Sequence, residues 1–515
     1  MRTIPTFSGA RTALIVTALS ATMLSGGATS APQSAAEIDD PNLADAVADE
    51  IAHEQGVESS TIQATAEDGV VTLSGTVQDL LAKRRAETIA GTVLGVKAVE
   101  NELTVNPPDD LQPDRVGTMV VAALAADPAT ESWEIEVETD SEGHVTLSGK
   151  VQSGAEARLA ERVAMSVAGV TGVTNALTIE PAVTRSDSEI REDVAARLDW
   201  SALIGDEYID VAVADGVVHL SGDVFSAAER ARAVSEAHVR GVTGVDASGL
   251  KVAFAENGRA PAKAEPGRPR DDAAIRQAVQ SALMTNPRVD RGGTETFVDD
   301  GVVTLRGGVD NLAAKEAAGD AAGKIIGVER VENRMHVNRS KPMSDPELEQ
   351  DIVNAFIRHP DVEASDFVVK VRNGVVSLYG NVDSFFEQSQ AYKAASRVGG
   401  VARVENHMDV RDNVRPFVSD LYADNVRYES YDWWSGYREP RTMKSDAEIA
   451  AAIRDELSWS PFVLAENVEI VVQDGRATLG GTVNSVRARQ AAIENAWEGG
   501  AVWVRDEIEV AAPRS

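Results

Sequence analysis

The chain has 515 residues and a formal charge of −33, from 82 Asp and Glu against 49 Lys and Arg. So acidic a surface repels nucleic acid and bare anionic lipid at long range, which argues against a nucleic-acid-binding function. The lack of any Cys excludes disulfides, thiol catalysis and Cys-based zinc sites. At 43% apolar the chain is globular but too long for one core, and with aromatics at 5% its cores fall to Val, Ala, Leu and Ile, which suits small modules.

In chain order, residues 1–31 read first as a secretory signal. Arg2 and Arg11 form a basic start, and Thr12–Leu24 is an apolar stretch too short to span a bilayer comfortably. The small residues from Gly26 to Ala31 supply a cleavage site near Ser30 or Ala31. The alternative is an uncleaved anchor. No other apolar run approaches the roughly 20 residues of a membrane helix, so the mature chain is expected to have none and to be exported.

Beyond the signal one signature recurs six times. It reads DGVVTLSGTV (68–77), EGHVTLSGKV (142–151), DGVVHLSGDV (215–224), DGVVTLRGGV (300–309), NGVVSLYGNV (373–382) and DGRATLGGTV (474–483). Successive copies are 74, 73, 85, 73 and 101 residues apart. A Gly-led alternating strand begins 19 or 20 residues after the second glycine of each copy: GVKAVENELTV (95–105), GVTGVTNALTI (169–179), GVTGVDASGLKV (241–252), GVERVENRMHV (327–337), GVARVENHMDV (400–410) and GAVWVRDEIEV (500–510).

Each unit reads as helix, strand, strand, helix, strand. Leu43, Ala46, Val47 and Ile51 fall at helical spacing, and Ser186 with Glu189, Ser344 with Glu347 and Ser445 with Glu448 spell capping boxes. Asp68-Gly69 marks a tight hairpin, after which Val71, Leu73 and Val77 alternate with polar neighbours. Leu81, Ala86, Ile89 and Val93 form the stripe of a second helix, with Arg85 at its edge. A right-handed crossover through that helix makes the third strand parallel to the second. The predicted fold is α+β: six tandem α-β-β-α-β modules, each a three-stranded mixed sheet with two helices on one face.

The glycines of the signature have structural explanations. Gly69, Gly143, Gly216, Gly301, Gly374 and Gly475 serve the turn, where positive φ is required. Gly75, Gly149, Gly222, Gly307, Gly380 and Gly481 sit in mid-strand, as expected of a bulge or a closely packed helix. No phosphate-loop glycine pattern or Walker lysine stands between strand and helix, so no cofactor is predicted.

Two spacings are long. Residues 255–269, rich in Pro, Gly and charge, read as a flexible linker that would divide the string into two arms of three modules. Residues 413–444 hold four of the seven tyrosines together with Trp433 and Trp434, more than a solvated linker would concentrate. Tyr431, Trp433, Trp434 and Tyr437 are the strongest candidates for anchors on a partner or a membrane surface, residue types enriched in binding hot spots. The alternative is a clasp packing on the fifth and sixth units.

The repeated G-V-V-x-L-x-G-x-V core and the G-V-x-x-V-x-N-x-L-x-V strand resemble the BON domain. The resemblance covers 43–105, 113–181, 186–254, 270–338, 344–412 and 445–513. A polar-Pro pair ends the first helix at Asp127-Pro128, Asn286-Pro287, His359-Pro360 and Ser460-Pro461, though not in the first and third units. The strand Asn is Asn101, Asn175, Asn333 and Asn406, with Ala247 and Asp506 in the other two. The resemblance implies a non-enzymatic periplasmic protein that binds phospholipid, membrane surfaces or envelope proteins and supports osmotic-stress tolerance and envelope integrity. An acidic scaffold or spacer without lipid affinity is the alternative.

The remaining candidates are weaker. The seven histidines occupy non-equivalent positions and read as surface or edge residues; no HExxH motif or EF-hand loop is present, and no metal is predicted. Trp200 and Trp459 both follow the last apolar residue of a first helix, where an indole suits either a lipid interface or a module-to-module contact.

Overall fold

The computed structural model describes residues 40–410 and 445–510, apart from breaks at 54–55, 108–112, 131–133, 182, 202–203, 205–207, 254–270, 290–292, 339–342, 461–462, 464–466, 474, 484–485 and 502. The predicted signal, the 255–269 linker and the 413–444 segment lie outside the described residues.

Six copies of one module follow in sequence. In the first, helices Asp40–His53 and Leu80–Thr92 cover one face of a sheet whose middle strand is Val70–Val77. That strand pairs antiparallel with Ile62–Glu67 and parallel with Ala98–Asn101 and Thr104–Val105. Leu43, Val47 and Ile51 from one helix, Ala86, Ile89 and Ala90 from the other, and Val71, Leu73 and Val77 from the strand are all buried in one cluster. Each Leu or Ile so buried contributes about 2 kcal/mol. The same antiparallel–parallel order recurs in the other five modules. The α+β class and module topology are those expected from sequence, as are all three capping boxes.

Polar residues set the joints within a module. Asp40, the first helical residue, accepts from the hairpin amides of Asp68 (2.9 Å) and Gly69 (3.0 Å). Asp187 and Asp272 clamp both amides of their own turns, while Asp345 holds Asn373 N and Asp446 holds Gly475 N. These turns hold Asp68, Asp215, Asp300 and Asn373 at positive φ, so the clamp secures a costly backbone. In the second module Asp140 performs the task locally, accepting from Glu142 N and His144 N. The strand Asn ties the third strand to the second helix. Asn101 donates to Lys83 O (2.9 Å) and accepts from Leu103 N (3.3 Å), and Asn175 and Asn333 repeat the pattern. Where Ala247 replaces it, Arg230 donates to the Ala247 carbonyl instead.

The mid-strand glycines differ from expectation in what they pack against. Gly75 has φ +124°, and a Cβ there would lie 2.0 Å from the Thr61 carbonyl oxygen, at the entry to the neighbouring strand rather than on a helix. Its five counterparts likewise have positive φ and face the backbone carbonyl preceding the partner strand.

The first five modules interlock, contrary to the expectation of two separate three-module arms. Helix Leu80–Thr92 of module one packs on Ala227–Glu236 of module three, and Leu312–Gly323 of module four on Phe385–Arg397 of module five. First helices also meet: Asp187–Trp200 with Asp272–Met284, and Pro113–Ala126 with Asp345–Arg358. Second helices thus pair with second helices and first with first, in the order one, three, four, five, two. Modules one and two join directly, since Leu80 belongs to the core cluster of module two. Main-chain bonds reinforce the docking: Ala168 N donates to Arg358 O (2.8 Å), Ile326 N to Trp200 O (3.0 Å) and Gly400 N to Asp310 O (3.0 Å).

Candidate functional site: a cavity where five modules meet

The helices that dock on one another leave a cavity of about 710 Å³, lined from all five modules. A helix presents its polar face away from its own sheet, so the cavity receives the charged side chains that amphipathic patterning keeps out of each core. Ten of the lining residues are Arg or Lys, against three Asp or Glu. The whole chain has the opposite balance. Apolar side chains, among them Leu81, Ile89, Met165, Trp200, Ile325 and Phe386, complete the wall.

Several of these cations also bind the modules together. Arg85 of module one donates to Asp361 of module five at 2.7 Å and to Gly56 O at 3.0 Å, and its guanidinium lies 4.7 Å from the centre of the Phe386 ring. Arg288 of module four pairs with Asp127 of module two at 2.8 Å, with both side chains less than a tenth exposed. Arg197 binds Glu236 within module three and donates to Thr285 of module four. Arg158 reaches Ser235 O at 3.3 Å, from module two to module three.

The cations of the wall act on its titratable groups. Burial works against ionisation of Glu236, yet Arg197, Arg232 and Lys324 outweigh it and hold that carboxyl below its usual range. Burial, helped by the positive charge of Arg158, pushes the His238 imidazole down to about 3. His359 is depressed for the same reasons, burial first and then Arg397, Arg85 and Lys393. Burial raises the Asp361 carboxyl against the pull of Arg85. His359 Nδ1 accepts from Asp361 N at 3.2 Å, which closes the turn after the His359-Pro360 pair and fits a neutral ring.

The sequence candidates fall in different places. Trp200 is half-buried against the core of module four, lines the cavity, and accepts from Ile326 N through its carbonyl. Trp459 ends helix Asp446–Trp459 of module six, but its side chain lies outside the described residues, as do Tyr431, Trp433, Trp434 and Tyr437. His238 and His359, read as surface or edge residues, instead lie at module boundaries, His238 half-buried and His359 buried at 7% exposed. Arg85 is not a helix-edge residue of one module but a bridge between two. Among the described residues no group of three or more His, Asp or Glu is placed to hold a metal ion, and no helix is long and apolar enough to cross a membrane.

Six repeats of an α-β-β-α-β module with these turn and strand signatures define a class, and the chain belongs to the BON-domain family, whose model matches 39–107, 114–181, 186–253, 271–339, 344–412 and 445–512. Among individual proteins it is similar to Osmotically-inducible protein Y of Escherichia coli (strain K12), 38% identical over 147 residues, which span 27% of this chain and 73% of that protein. Two solved structures of CdsD, a structural protein of the type III secretion system of Chlamydia trachomatis, align at 19% and 17% identity. They cover 40% and 42% of this chain and 91% and 100% of theirs, both at a TM-score of 0.12, too low to bear on fold or function.

Proposed function

We propose that this chain is a non-enzymatic binding protein of the bacterial envelope, periplasmic after export, that serves osmotic-stress tolerance by contacting membrane phospholipid or envelope proteins. The observation that carries the reading is the 38% identity to an osmotically inducible protein across most of that protein's length, in a chain built of six BON modules. Repetition supports a binding role, since several weak sites on one body add through effective concentration. The outer sheet faces offer exposed rings for such contacts, among them Phe297, Tyr379 and Trp503.

The test is co-sedimentation of residues 32–515 with zwitterionic and anionic vesicles across salt, beside a Trp433→Ala/Trp434→Ala variant. Binding by the intact chain that falls about tenfold in the variant is the expected result. Failure to sediment with any vesicle removes lipid from the proposal and leaves an acidic scaffold or a protein partner. A deletion strain should grow more slowly than its parent after osmotic upshift; equal growth would count against the stress role.

A further inference from the structure

We propose that the first strand of module five pairs, along its outer edge, with the first strand of module two in a second copy of the chain, so that copies associate edge to edge. This goes beyond the stress role and does not rest on it, because the partner is the chain itself.

The first strand of every module lies at an edge of its sheet. An edge strand leaves a row of main-chain N–H and C=O groups on its outer side, a template for another strand. For Ile135–Thr139 of module two and Phe367–Arg372 of module five, no hydrogen bond among the described residues uses that row. Charge decides which edges can meet. The strands IQATAE, IEVET, IDVAVA, ETFVD and VEIVVQ each contain an acid and no Lys or Arg. The strand FVVKVR of module five has two cations and no acid. Like charges set opposite one another destabilise a strand pair, so the five acidic edges repel each other and only the edge of module five attracts them.

Spacing singles out module two. Lys370 and Arg372 stand two residues apart on the outer sheet face, both exposed and outside the ion pairs of the described residues. Glu136 and Glu138 have the same spacing and exposure and likewise no ion-pair partner there. In module four Phe297 stands between Glu295 and Asp299, and the other three acidic strands hold one acid each. An antiparallel pairing that sets Glu138 opposite Lys370 also sets Glu136 opposite Arg372, since side chains alternate with a period of two. Val368, 52% exposed, and its cross-strand neighbour Tyr379, 43% exposed, add an apolar margin at the same edge. The partner strand must come from another copy. Within one chain modules two and five dock through their first helices, and their first strands are not hydrogen-bonded to one another. Each copy therefore offers one acidic and one cationic edge, and a two-fold pair of copies makes the contact twice.

The test is sedimentation velocity of residues 32–515 at concentrations up to about 100 μM, in about 0.05 M and about 0.5 M salt. Reversible association at low salt, weakened about tenfold or more at high salt, is expected. Lys370→Glu/Arg372→Glu makes the whole chain more acidic, and Glu136→Lys/Glu138→Lys makes it less so. Each should weaken association about tenfold or more, and an equimolar mixture of the two should restore it. Repulsion between whole molecules would instead move the two variants in opposite directions, and that result overturns the proposal. So does an intact chain that stays monomeric at low salt, association indifferent to salt or to both variants, or a mixture that fails to restore it. The charged edges would then serve only to keep strands apart. All four side chains are exposed, so both variants should keep the intact melting temperature. If either melts early, Lys370→Gln/Arg372→Gln and Glu136→Gln/Glu138→Gln replace the pair, and each must weaken association for the proposal to stand.

Discussion

At the scale of single residues, the histidines at module boundaries are the groups most sensitive to conditions. The folded protein holds His238 down to about 3, whereas the unfolded chain takes up its proton near the ordinary value of 6.5. Below pH 6.5 the unfolded state therefore binds a proton that the folded state refuses. The stability that the neutral ring contributes above 6.5 is lost progressively as pH falls toward 3. Between pH 6.5 and pH 5 this amounts to at most about 2 kcal/mol. Urea denaturation at both pH values should show the wild type losing that much more than His238→Gln; equal losses would show that the ring is not protected as described. Neither histidine was legible as a boundary residue in the sequence. Each lies at the end of a helix, where solvent exposure is the ordinary outcome, and only the arrival of another module covers it.

Within elements, the sequence was most informative where one residue type has one physical use. Asp-Gly between alternating apolar runs means a hairpin, and Ser-x-x-Glu before a helical stripe means a capped start. Both signals led directly to the module fold. The aspartate clamp was harder to see, although an Asp stands 29 residues before the turn glycine in every unit, as Asp40 does before Gly69 and Asp446 before Gly475. A lone acid in a first helical turn already has an explanation in the helix dipole, so it calls for no other. Asp187→Ala removes two bonds to the turn of module three and should cost about 2 kcal/mol in chemical denaturation. Gly222→Ala should cost more, about 3 kcal/mol, because its φ of +114° disfavours any side chain and its Cβ would meet the Tyr208 carbonyl at 2.0 Å. A mild effect at Gly222 would mean that the strand entry can move aside.

At the scale of the whole molecule, the sequence misled where it was read as a string. A Pro- and Gly-rich linker is consistent with separated arms, but it also permits modules on either side to dock. Arg85 and Arg197 look like ordinary polar-face residues in a 3.6-residue pattern, and Arg288 like a turn residue just past a helix, and nothing local distinguishes a charge facing water from one facing a neighbour. The docking predicts cooperative unfolding. Asp127→Ala leaves Arg288 buried without its carboxylate and should destabilise the body by about 3–5 kcal/mol, whereas Asp127→Ala/Arg288→Met should recover much of the loss. Calorimetry of the intact chain should show modules one to five melting in one transition, and Asp127→Ala should split it or lower it. Independent melting of each module would contradict the interlock.

The bridge from Arg85 to Asp361 has a further consequence, in time. The two residues are 276 positions apart, whereas the hairpins and helices of each module close over a few tens of residues. Local closures of that kind take microseconds to milliseconds, but the docking of domains is slower and waits for the distant segment to exist. During synthesis at about 5–20 residues per second, module one is complete well over ten seconds before its partner in module five emerges. In that interval the docking faces of the early modules stand uncovered and open to the wrong neighbour. The small, separately folding module is thus what allows so non-local an architecture to assemble: each unit secures its own core first, and only pre-formed surfaces remain to be matched.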